Sequence, residues 1–119
     1  MPVYNGESFL RYAVESLLGQ TFSDFELIIS NNASTDRTDE ICRTYAARDS
    51  RIRYYRNDKN LGGGWNHNRV LELAKAPYFK WATHDDLCAP TFLEACVTAL
   101  DQDHTAVLRA DAKTTSQIG

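Results

Sequence analysis

The chain has 119 residues, 43% of them hydrophobic, and a formal net charge of −3. That suits one domain with its own core, and the acidic balance excludes a nucleic-acid partner held by bulk electrostatics. No apolar run approaches the roughly 20 residues of a membrane span, and Met1-Pro2-Val3-Tyr4-Asn5-Gly6-Glu7 has neither the basic nor the long apolar region of a signal peptide.

Asn5-Gly6 is a turn signal. A helix is predicted from Glu7 to Leu18, because Phe9, Leu10, Ala13, Val14, Leu17 and Leu18 recur at helical spacing. Gly19 can stop it. Phe25 to Ser30 has the apolar density of a buried strand. Asn31-Asn32-Ala33-Ser34-Thr35-Asp36 then forms a short polar loop, with Ser34 or Thr35 placed to cap the next helix. That helix runs from Asp36 to Arg48 with Ile41, Cys42, Tyr45 and Ala46 inward. Arg51 to Arg56 alternates charge with apolar side chains and reads as a strand at or near a sheet edge.

Asn57 to Gly64 is a loop rich in glycine. A third helix is predicted from Trp65 to Lys75 with Val70, Leu71 and Ala74 inward, and Pro77 breaks it. Tyr78 to Thr83 is predicted as a strand that delivers Asp85 and Asp86 to the sheet's edge. Pro90 suits the first turn of a fourth helix, with Phe92, Leu93, Cys96, Val97 and Leu100 as its buried stripe. Thr105 to Ala110 can begin a further strand, and Lys113 to Gly119 reads as irregular. Trp65 and Trp81 are expected in the core. Cys42, Cys88 and Cys96 sit in apolar patterns and read as free, packed thiols, which fits the cytoplasm. His67, His84 and His104 are scattered, so a Cys/His metal site is disfavoured.

Strands alternate with helices, which argues for a three-layer α/β fold: a mostly parallel sheet flanked by helices, in one domain over residues 1–119. In such folds the loops after the strands gather on one edge, where ligands bind. Here those loops offer amides, glycines, the Tyr4 ring and the Asp85-Asp86 pair. The set suits a nucleotide, with the ring on the base and the carboxylates near the ribose and a metal on the diphosphate. Because Mg2+ is usually held by one or two carboxylates plus substrate phosphates, the acidic pair itself suggests a divalent cation and a phosphate-bearing partner. A solvated turn is the plainer alternative for the same pair. A P-loop is disfavoured, since no Gly-Lys-Ser/Thr sequence is present.

The ordered set Pro2-Val3-Tyr4-Asn5-Gly6-Glu7, Gln20-Thr21-Phe22, Phe25 to Ile29, Asn31 to Asp36, Asn60-Leu61-Gly62, and Trp81 to Asp86 with Pro90 after it resembles the N-terminal half of family 2 glycosyltransferases across residues 2–100. The resemblance implies a partial GT-A fold, the Rossmann-like nucleotide-binding half. It implies a nucleotide-diphosphate sugar donor (UDP- or dTDP-sugar), a Mg2+ or Mn2+ ion, and inverting transfer to an acceptor hydroxyl. It assigns nucleotide binding to Pro2, Tyr4, Glu7, Asn31, Asn32, Gly63 and Asp85, and metal binding to Asp86 and Asp85 in a DxD-like region. Two positions depart from the family pattern. Asn31-Asn32 replaces a carboxylate-bearing pair, so a donor stands where a carboxylate only accepts, and Thr83 stands where relatives carry the first Asp.

By the same resemblance, an apolar strand is expected before Pro2, and the acceptor half with the general base after Gly119. The 119 residues are then expected to bind the donor without completing transfer. The saccharide or lipid-linked acceptor belongs to the intact enzyme, expected in the cytoplasm or at the inner face of the membrane, in cell-envelope polysaccharide synthesis. Without that first strand a gap in the sheet or an exposed edge is expected, which invites self-association. The other readings are a non-catalytic α/β nucleotide-binding or signalling module, and an inert structural fragment. A receiver-like module is weaker because the acidic pair follows the third visible strand rather than the first.

Overall fold

The structure, a computed structural model, describes residues 1–103. The predicted strand at 105–110 and the tail at 113–119 lie outside the described residues. Strand β1 is Pro2–Val3, β2 is Leu27–Asn31 and β3 is Ile52–Arg56; helices α1 (Leu10–Leu18), α2 (Thr38–Arg48), α3 (Gly63–Leu73) and α4 (Phe92–Gln102) complete the described elements. The sheet has the order β1-β2-β3 and every pairing is parallel, with Val3 opposite Asn31 and Leu27 opposite Ile52. The expected α/β architecture is therefore present.

Alternation along β2 builds the layers. Leu27 and Ile29 face one side, where they join Leu10, Ala13, Val14 and Leu17 of α1, Cys42 and Tyr45 of α2, and Ile52 of β3 in the main core. Ser30 faces the other side and meets Asn66 of α3. On β3 the same parity sends Tyr54 toward Asp39 of α2 and Tyr55 toward Arg69 of α3. Two crossover helices on one face and α3 on the other give three layers.

Several expectations shift. Helix α1 begins at Leu10 rather than Glu7, because Gly6 O accepts from both Phe9 and Leu10 N–H in a preceding turn. Phe9 is consequently exposed. Neither Ser34 nor Thr35 caps α2; Asp36 Oδ1 accepts the Thr38 N–H at 2.9 Å instead. Helix α3 begins at Gly63, which turns Leu71 out to solvent and buries Asn66 beside Val70. The stripe predicted on α4 is only half-buried.

The largest correction concerns Tyr78 to Thr83, which form no strand. A strand needs a ladder partner, and the free edge of β1 offers only Pro2 and Val3, of which the proline nitrogen has no hydrogen to donate. Trp81 and Trp65, expected in the core, are each 45% exposed.

Candidate functional site

Because all three strands are parallel, their carboxyl ends open onto one edge, and a cleft of about 560 Å³ lies there. Pro2, Val3 and Tyr4 line it from β1, and Asn32 lines it from β2. Gly63, Asn66 and His67 contribute the first turn of α3, and residues 81–85 form the remaining wall. Of the residues singled out from sequence, Pro2, Tyr4, Asn32, Gly63 and Asp85 thus meet in one place. Tyr4 keeps 44% of its surface exposed, which leaves a ring face open to a ligand.

The β1–β2 wall is held by a web of neutral amides. Asn66 donates from Nδ2 to Ser30 O at 2.8 Å, while its Oδ1 accepts from Ser30 Oγ and from Asn57 Nδ2. Asn32 Oδ1 accepts from Asn57 Nδ2 and from the Leu61 N–H, and its Nδ2 donates to Asn60 Oδ1 and Gly62 O. Asn31 is fully buried. Its Nδ2 donates to the Tyr54 hydroxyl, and its Oδ1 accepts from Ser34 N–H and Oγ. Asn31 therefore sits behind the cleft surface rather than on it. Among the described residues no buried side-chain polar atom lacks a partner, which is what makes such a web rigid.

A second set of bonds ties the β1–α1 loop to the β2–α2 loop. Asn5 N–H donates to Ser34 Oγ, Thr35 N–H to Asn5 Oδ1, and Gly6 N–H to Thr38 Oγ1, each between 2.8 and 2.9 Å. Asn5 and Ala33 both adopt positive φ, at 50° and 57°. For alanine that conformation costs about 1–2 kcal/mol, offset here by the loop's bonds. Glu7 lies in this zipper, outside the cleft lining: its Oε2 accepts the Arg37 N–H and its own N–H donates to Asp36. A carboxylate there also complements the amino end of α2.

The opposite wall is looser. The His84 ring packs so closely on Gly6 that a Cβ there would lie 2.9 Å from His84 Cδ2. Trp81 contacts the His67 ring at 5.2 Å and Phe79 edge-on at 4.9 Å. Asp86 accepts the Thr83 hydroxyl at 2.6 Å and lies just outside the lining. Asp85 lines the cleft and has no hydrogen-bond or ion-pair partner among the described residues. No group of three His, Cys, Asp or Glu side chains gathers among them to hold a metal by protein ligands alone. Two oxygen donors of this kind fit Mg2+ or Mn2+ when a diphosphate completes the coordination.

Burial pushes the Tyr54 hydroxyl well above its ordinary range, and its bond to Asp39 adds to the shift, so Tyr54 stays neutral, donating to Asp39 and accepting from Asn31. Burial likewise pushes the Cys42 thiol up to about 12, which makes it an inert core group. Sequence patterns put Asn57 and Asn60 in a ligand-side loop without foreseeing that they brace Asn32, and missed Asn66 and His67. The signal was present for Asn66 alone, which stands four residues before the inward Val70 and so shares its helix face.

Comparison with known proteins gives this cleft its setting. An uncharacterized glycosyltransferase of Rickettsia typhi is 33% identical over 102 residues, which is 86% of this chain and 31% of that relative. The chain thus spans about a third of that protein's length. The structure of residues 1–349 of Staphylococcus aureus TarS with UDP-GlcNAc superposes at a TM-score of 0.80 with 25% identity, covering 87% of this chain and 30% of that one. A mannosyltransferase of Pyrobaculum calidifontis, solved with GDP-Man and Mn2+, shares the fold at a TM-score of 0.76 and 21% identity, covering 83% of this chain and 30% of its own. These are GT-A enzymes, and the fold described above is that part of the GT-A architecture. The family model described as glycosyl transferase family 2 matches residues 1–115, and the chain belongs to that family.

Proposed function

We propose that residues 1–103 form the donor-binding half of an inverting glycosyltransferase that takes a UDP- or dTDP-sugar together with Mg2+ or Mn2+. The observation that carries this reading is a cleft in which a half-exposed ring, Tyr4, and an unpaired carboxylate, Asp85, line the same space. The ring suits a base, and Asp85, lining the same cleft from residues 81–85, suits the ribose or a metal on the diphosphate. The uridine preference rests on TarS, solved with UDP and with UDP-GlcNAc.

Pro2 and Tyr4 would hold the base, with Gly63 leaving room for close approach. Asn32 would present its loop to the base edge. Asn31, enclosed behind it, would position that loop, and Glu7 would act through the zipper rather than by contact. Asp85 would lie at the ribose or metal, and Asp86 would hold the metal. When bound, the divalent cation supplies Lewis-acid neutralisation of the charge that builds on the departing nucleoside diphosphate. In transfer, an acceptor hydroxyl oxygen bonds to the anomeric carbon as the bond to the diphosphate breaks, and a base takes the hydroxyl proton. No described residue is assigned as that base. The acceptor, saccharide or lipid-linked, and a role in cell-envelope polysaccharide synthesis on the cytoplasmic side belong to this reading.

Calorimetric titration of UDP, dTDP and GDP with and without Mn2+ tests it. UDP or dTDP should bind more tightly with Mn2+, and Asp86→Ala should remove that gain while leaving the fold intact. UDP binding that ignores both the metal and the substitution would count against the donor-site reading.

A further inference from the structure

A second, shallower cleft of about 400 Å³ lies between β3 and α3, across the glycine loop from the first. Its lining is unlike the rest of an acidic chain. Arg56, Lys59 and Arg69 contribute three cations against the one carboxylate of Asp58. The ion pairs among the described residues use Arg37, Arg43, Arg51 and Arg53, so none of these three cations has a carboxylate partner there. Asp39 acts on Arg56 only through space. Arg69 lies over the Tyr55 ring at 5.8 Å, which holds its stem in place.

The same cleft carries apolar surface that is exposed among the described residues. Trp65 is 45% exposed and Leu61 38%. Trp65 and Arg69, four apart on α3, share one face of the helix, and Leu61 of the preceding loop lines the same cleft, whereas Gly63, Asn66 and His67 face the donor cleft. Among the described residues nothing lies within 4 Å of where a Cβ would stand on Gly62, Gly63 or Gly64, so the start of α3 beside Trp65 is open to a flat partner. A tryptophan and a leucine flanked by cations are the combination that lies at an anionic bilayer surface, with rings at the headgroup level and basic side chains on the phosphates.

We infer that the β3–α3 face docks the protein on an anionic phospholipid surface, with Trp65 and Leu61 entering the interface and Arg56, Lys59 and Arg69 meeting lipid phosphates. The charge complementarity is local, since the chain as a whole is acidic. This face is separate from the donor cleft and does not depend on what that cleft binds.

Co-sedimentation of the full chain with vesicles tests the inference. Vesicles of phosphatidylcholine with about a third phosphatidylserine should capture the protein at low salt, and pure phosphatidylcholine should not. Each cation near the surface is worth about 1 kcal/mol, a factor of roughly five, so Arg56→Gln with Lys59→Gln should weaken partition by roughly 25-fold. Trp65→Ser should weaken it further and abolish quenching by brominated lipid. Circular dichroism and urea unfolding of the same variants, unchanged, show that they are folded. Partition unaffected by these substitutions would overturn the inference. So would inorganic phosphate or pyrophosphate bound at Arg56 and Lys59 with no preference for anionic vesicles, since that describes a site for a soluble anion.

Discussion

The cleft at the strand ends, proposed to take the donor, has two walls built in different ways. The β1–β2 wall is cross-braced: no buried side-chain polar atom among the described residues lacks a partner, and the first two loops are sewn together through Asn5, Gly6 and Thr38. The wall from Phe79 to Asp86 has no ladder, leaves its aromatic rings half in solvent, and holds Asp86 through one hydroxyl. The chemistry each wall would meet explains the contrast. A base is a rigid, neutral plane and is best met by preset groups. A metal with its diphosphate arrives with its own charge and geometry, and a carboxylate that can adjust meets it well.

The largest expected effect lies in the braced wall. Asn66→Ala removes three hydrogen bonds from a fully buried amide and strands Ser30, so it should destabilise the fold by about 3 kcal/mol in urea titration and weaken UDP binding with it. The matching change on the loose wall, Thr83→Ala, should stay within about 0.5 kcal/mol. Equal losses at the two positions would break the comparison.

Where the walls touch, the effect is intermediate. A methyl at Gly6 would lie 2.7 Å from Val3 Cγ2 and 2.9 Å from His84 Cδ2. Gly6→Ala should therefore cost about 1–3 kcal/mol. Adding His84→Ala should restore part of that, because the histidine is the half of the clash that can yield. No recovery in the double variant would mean that the rigid Val3 side sets the whole penalty.

The smallest effect belongs to the far end of the sheet. The Arg51 guanidinium bridges both oxygens of Asp49 and holds its carboxyl at about 2, below its ordinary 3.8. A depressed carboxyl contributes stability that is present above the unfolded value and lost as pH falls. Stability should thus decline between about pH 4 and pH 2 from this pair, and Asp49→Asn should flatten that slope in acid unfolding. UDP affinity at neutral pH should not change, since the pair touches neither wall.

The order of elements was legible because hydrophobic spacing and turn residues act locally. Leu10, Val14 and Leu17 marked α1, and Leu27 and Ile29 marked β2, before any contact was known. Tyr78 to Thr83 were misread for a reason no local pattern carries: a strand exists only where a neighbour offers a ladder. The site was half legible. Tyr4, Asn32 and Asp85 followed from the rule that loops gather at strand ends. The bracing amides did not, because Asn57, Asn60 and Asn66 resemble ordinary loop and surface residues until folding brings Ser30 and Asn32 against them. Glu7 and Asn31 matched the family's positions, yet their side chains are spent on the scaffold.

In the proposed reading, one cleft joins a base-holding wall to a metal-holding one. Mn2+ broadening of backbone NMR signals locates the metal directly. With UDP present, signals of Thr83 to Asp86 should broaden first, and they should recover when UDP is withdrawn or Asp86 is changed to Ala. Broadening centred on Asp39 and Glu40 of α2, or broadening at Thr83 to Asp86 that is the same with and without UDP, would contradict the account.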